Sequence, residues 1–126
     1  MTTKPITQLH VEHNAWLMKL DFYTDEVIIM THRLEEIVSK NTAKDILAQV
    51  EHFQNQFILQ KENIDEIRHA IKDHENYLEN RINENPTASD RRSVNDHPAM
   101  RDRVNSFEKI FNDLRHEFLV FLAKVM

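Results

Sequence analysis

Not one of the 126 residues is glycine. Left-handed turn positions are the ones glycine fills without steric penalty, and a sheet protein needs many of them. Only Pro5, Pro86 and Pro98 interrupt the chain as imino acids. A chain so poor in corner residues is expected to be all-α, with long helices and very few connections.

Hydrophobic periodicity supplies the helices. The first apolar seam runs Leu9, His13, Trp16, Leu20, Tyr23, Val27, Met30, Leu34, Ile37. The steps alternate four and three, the spacing of the buried a and d positions of a packed helix. A second seam runs Ile46, Val50, Phe53, Phe57, Gln60, Ile64, Ile67, Ile71, His74, Leu78, and a third Met100, Val104, Phe107, Phe111, Leu114, Phe118, Phe121, Val125. The aromatic third seam predicts a bulky, dry core.

The boundaries follow from capping chemistry. Thr7 is the expected N-cap of the first helix. Asn41 is the residue expected to close it in the left-handed conformation, which asparagine tolerates better than most. Thr42 is then expected to cap the second helix, with Asp45 as the reciprocal acid of a capping box. Asn85-Pro86 ends that helix, NPTASDRRSVNDHP reads as a loop, and Asp96 or His97 caps a third helix with Pro98 in its first turn.

The stretch FILQKENIDEI (57–67) decides the architecture. Asn63 and Glu66 have the spacing of a cap and its partner, but the seam crosses the stretch without a slip in phase. Nothing before Asn63 breaks a helix. The expectation is an antiparallel bundle of three long helices, about 8–40, 43–84 and 97–125, in a single domain completed by dimerisation. The alternative is a four-helix up-down bundle with a turn near 60–64.

Several function classes fall away. Cysteine is absent, which removes disulfides, thiolate metal sites and cysteine nucleophiles. Net charge is −5, with basic residues scattered among acids, so nucleic acid and anionic membranes are unsuitable partners. There is no apolar run of signal-peptide or membrane-span type, so a cytoplasmic location is expected by default. No serine–histidine–acid order, phosphate-cradling glycine loop or isolated carboxylate pair marks an enzyme.

Two features carry functional expectations. Phe22, Ile28, Ile29, Ile58, Leu59, Leu119 and Val120 fall off the core seams and project to similar heights on the rod. They predict an apolar belt and a homodimer, and with it a non-enzymatic, self-associating scaffold or protein-interaction module. The second feature is the count of eight histidines. His10 and His13 share a helix face, and the hairpin puts His74 at nearly the height of His13. These three are the expected ligands of an alternative function, a zinc- or iron-binding bundle. Histidines 32, 69 and 116 lie at outward positions, His52 stands beside Phe53, and His97 is expected to cap or pack. Gln60 interrupts the second seam, as register-fixing polar residues do.

HFQNQF (52–57) and KDHENYL (72–78) resemble segments of the hemerythrin-like family, which implies a four-helix bundle with two irons. That family places Glu four residues after its first histidine, where this chain has Gln56. It pairs a second histidine with the position of His74, where this chain has Ala70. It has an acid five residues after its last histidine, where this chain has Phe121. The overall layout also resembles small all-helical bacterial proteins, a likeness that names no activity.

Overall fold

The computed structural model of the chain describes the backbone of residues 3–84 and 86–126 and the side chains of 8–77 and 97–126. Three helices follow one another: α1, Thr3–Lys40; α2, Lys44–Glu84; α3, Pro86–Val125. Helix α2 passes through residues 57–67 unbroken. The fold is all-α, a bundle of three long helices.

Side-chain pairs fix the directions. His10 meets Glu75 and Asp21 meets Arg68, so α1 and α2 are antiparallel. Phe53 meets Phe121 and Glu66 meets Arg103, so α2 and α3 are antiparallel as well. The parallel pair, α1 and α3, is joined by a ladder that repeats every heptad: Glu12–Arg101 at 2.7 Å, Lys19–Glu108 at 3.0 Å and Glu26–Arg115 at 3.8 Å. Such flanking pairs set axial register more than they add stability.

The core is the union of the three seams. Leu20, Phe111, Ile64 and Ile71 are completely buried; the rings of Tyr23, Phe107 and Phe111 pack against one another, and those of Phe53, Phe57, Phe118 and Phe121 form a second cluster. The Phe57 ring meets that of Phe118 edge-on at 5.1 Å, an arrangement in which the positive rim of one ring faces the negative face of the other. Gln60 is buried in its seam, and its Oε1 has no hydrogen-bond partner among the described residues. Phe22, Ile28, Ile29, Ile58, Leu59, Leu119 and Val120 are all exposed.

The helix ends differ from expectation. Thr7 does not begin α1, which already runs from Thr3. Asn41 is not left-handed, since no described residue has positive φ. Its side-chain amide instead donates to the Ile37 carbonyl at 2.9 Å, satisfying a group that the ending helix leaves open. Ala43, not Thr42, supplies the carbonyl for the first bond of α2, from the Leu47 amide at 3.0 Å.

The largest difference is the expected loop before 97. Helix α3 starts at Pro86 and contains Pro98. Proline suits a first helical position because the amide hydrogen it lacks has no partner there. Pro98 removes one internal bond, yet α3 runs on through it. Neither Asp96 nor His97 is therefore a cap.

Candidate metal centre

One layer of the core is made of imidazoles. His13 and His74 are seam residues of α1 and α2. His97 stands three residues before Met100 on α3 and extends that seam one step towards the N-terminus. His13 is 0% exposed, His97 is 2% exposed and His74 is half-buried. One ring nitrogen from each can be chosen so that all three lie within 4.8 Å of one another. The ring centroids are 5.0 Å apart for His13–His74, 5.2 Å for His13–His97 and 6.4 Å for His74–His97.

Carboxylates hold two of these rings from behind. His13 Nδ1 donates to Glu75 Oε1, so its Nε2 carries the lone pair and points at His74 Nδ1, 3.1 Å away. His97 Nε2 donates to Glu12 Oε1 at 3.0 Å. That leaves His97 Nδ1 buried with no hydrogen-bond partner among the described residues. Metal-binding histidines are commonly oriented this way, one nitrogen on a carboxylate and the other on the ion.

Each carboxylate is itself anchored from outside. Arg101 grips Glu12 with two bonds, 3.1 Å from Nε and 2.7 Å from its terminal nitrogen. This pair is the last rung of the α1–α3 ladder, so the register of the helices delivers Glu12 to His97. Glu75 is shared between His13 and His10, whose Nδ1 lies 2.8 Å from Glu75 Oε2. His10, expected as a ligand, is exposed and sits behind Glu75, outside the trio. On the core side Trp16 closes the layer, its ring stacked on His97 at 4.8 Å and 23°.

Burial favours the neutral form of His13 and His97. Burial pushes the pKa of His13 below its ordinary value, against the opposing pull of Glu75. Burial does the same to His97, against Glu12. Glu12 is held far down, to about 2, chiefly by the hydrogen bond from Arg101 and then by His97. A neutral imidazole with a fixed tautomer is the form that binds a metal ion.

The donor set suits a divalent first-row transition ion. Zinc–nitrogen bonds of about 2.0–2.1 Å in a tetrahedron put donor atoms roughly 3.3 Å apart. The His13–His74 pair, at 3.1 Å, already matches that edge. The other two edges fall within the 4.8 Å that spans one ring nitrogen from each histidine.

Of the other histidines, 32, 52, 69 and 116 are exposed. His69 pairs with Asp73 at 3.2 Å, and His52 stands edge-on to Phe53. The His52–Gln56 and Ala70–His74 segments that resemble the hemerythrin-like family lie together on α2, and only His74 reaches the trio. Comparison with known proteins finds no matching family model, no matching curated protein and no matching solved structure. Among the described residues no helix is long and apolar enough to cross a membrane.

Proposed function

We propose that this protein binds a transition-metal ion, zinc foremost, in a three-histidine centre made of His13, His74 and His97. The observation that carries the reading is the gathering of three imidazoles with one ring nitrogen of each within 4.8 Å of the others, together with His97 Nδ1, a buried nitrogen without a partner among the described residues. A buried polar atom left unsatisfied is destabilising by about 1–3 kcal/mol, and a metal ion would satisfy His97 Nδ1 while binding the other two imidazoles. Zinc and iron(II) both accept imidazole, and an all-nitrogen, thiolate-free set leaves cobalt, nickel and copper as competitors in vitro.

The ion would tie α1, α2 and α3 together at one end of the bundle. Its role is binding and stabilisation, and no reaction is assigned to it. The test is elemental analysis of protein purified without an affinity tag. One equivalent of a first-row metal, lost in His13→Ala and in His97→Ala, supports the reading. Protein that is metal-free as isolated, and that takes up no zinc at micromolar concentration, overturns it.

A second reading rests on a separate observation, the exposed residues Phe22, Ile28, Ile29, Ile58, Leu59, Leu119 and Val120. They support a self-associating scaffold or interaction module, which is compatible with a structural metal.

A further inference from the structure

Helix α1 carries two apolar seams on opposite faces. The inner one builds the core. The outer one reads Val11, Ala15, Met18, Phe22, Ile29, with steps of four, three, four and seven, and Asp25 in the skipped place. Its large members are 61%, 73%, 52% and 56% exposed for Val11, Met18, Phe22 and Ile29. The corresponding outward positions of α2 and α3 hold mainly His, Asn, Glu, Asp, Ser and Lys, with Leu59 and Val120 as isolated exceptions. A heptad-spaced seam facing water has the sequence form of a helix–helix contact.

We propose that two copies of this chain pair through the outer seam of α1 as an antiparallel two-fold dimer. The seam is self-complementary in that arrangement. With the axis level with Leu20, Val11 faces the partner's Ile29 and Met18 faces the partner's Phe22. A two-fold interface requires such reciprocal matching.

The charges beside the seam point to the same occupant. Lys19 is engaged with Glu108 at 3.0 Å, Asp21 with Arg68 at 2.7 Å and Glu26 with Arg115 at 3.8 Å, all inside the chain's own bundle. The border therefore offers little unspent charge to select a strongly acidic or basic partner, and it suits a surface of the same kind. Ile28 and Ile58, exposed beside the seam, widen the contact.

Extent sets the strength. From Val11 to Ile29 the seam is ~27 Å long at 1.5 Å per residue, on a helix ~10 Å wide. That footprint is smaller than the roughly 800 Å² per partner of a standard stable interface. The dimer belongs in the micromolar range.

Sedimentation equilibrium of the full chain, from about 1 to 200 µM, tests this. The wild type should pass from monomer to dimer across that range. Met18→Lys/Phe22→Lys should weaken association at least thirtyfold, the effect of losing one interface anchor, with an unchanged helical circular dichroism spectrum. Because the chain has no cysteine, Met18→Cys/Phe22→Cys should form a disulfide-linked dimer on mild oxidation. A wild type that is monomeric at 200 µM overturns the proposal. So does a dimer that Met18→Lys/Phe22→Lys leaves intact, since its interface would lie elsewhere. Neither result bears on the metal centre, whose readout is elemental content.

Discussion

His13 Nε2 and His74 Nδ1 stand 3.1 Å apart across the α1–α2 contact, two ring nitrogens from helices that run in opposite directions. Without an ion they share one proton. With an ion that separation is close to one edge of its coordination tetrahedron.

The ligand set distinguishes His97 from His10. Removing His97 takes a donor atom away, so His97→Ala should weaken zinc binding by more than the tenfold to hundredfold typical of a lost outer partner. His10 reaches the trio only through Glu75, and His10→Ala should stay within about tenfold of wild type. Trp16, the sole tryptophan, stacks on His97. Quenching of its fluorescence by cobalt(II) gives the titration directly. Equal losses in the two variants would contradict this ligand assignment.

Removing the metal should lower thermal stability. At free zinc one hundredfold above Kd, linkage adds about 2.7 kcal/mol. For a chain of this size that corresponds to roughly 10 °C in Tm. Calorimetry with and without a chelator measures it. The metal-free protein should also lose stability as pH falls below 6.5: burial lowers the folded pKa of His13 and His97, so the unfolded chain binds more protons there.

Arg101 acts on the site through Glu12. It is the leading cause of the low Glu12 pKa of about 2. Arg101→Ala should raise that pKa, read by carbon-13 NMR of the carboxyl group. It should also loosen His97 and weaken metal binding about tenfold. The Glu12 shift adds stability above pH 4.5 that is lost as pH falls towards 2, worth about 1 kcal/mol once screening at this partly exposed group is allowed for. A variant with unchanged metal affinity would show that Glu12 does not need its clamp.

Tyr23 gives a prediction at the other end of the pH scale. Burial, followed by Glu108, raises its pKa above the ordinary 10.0. A phenol with a raised folded pKa contributes stability below pH 10 that disappears as pH climbs through the folded value. Tyr23→Phe keeps the ring contacts with Phe107 and Phe111. Urea melts should show a flatter loss of stability above pH 10 in the variant. Identical alkaline slopes would assign the loss to other groups.

The local periodicity of the chain determined the three helices, the passage of α2 through residues 57–67, the three inner seams and the exposure of residues such as Phe22 and Ile58. It also placed His13 and His74 in the core, because a four–three spacing marks an inward position whatever the helix packs against. It misjudged His97. Pro98 reads locally as a helix start, whereas α3 runs back through it to Pro86. That extension makes His97 an inward residue instead of a cap. Which atoms share a layer is a different kind of fact. It depends on how far each helix slides along its neighbours, and packed rings such as Phe57 against Phe118, together with the Glu12–Arg101, Lys19–Glu108 and Glu26–Arg115 ladder, settle that across the whole chain. The tertiary structure alone therefore sets His97 beside His13, puts His10 behind Glu75, and turns three scattered histidines into one centre.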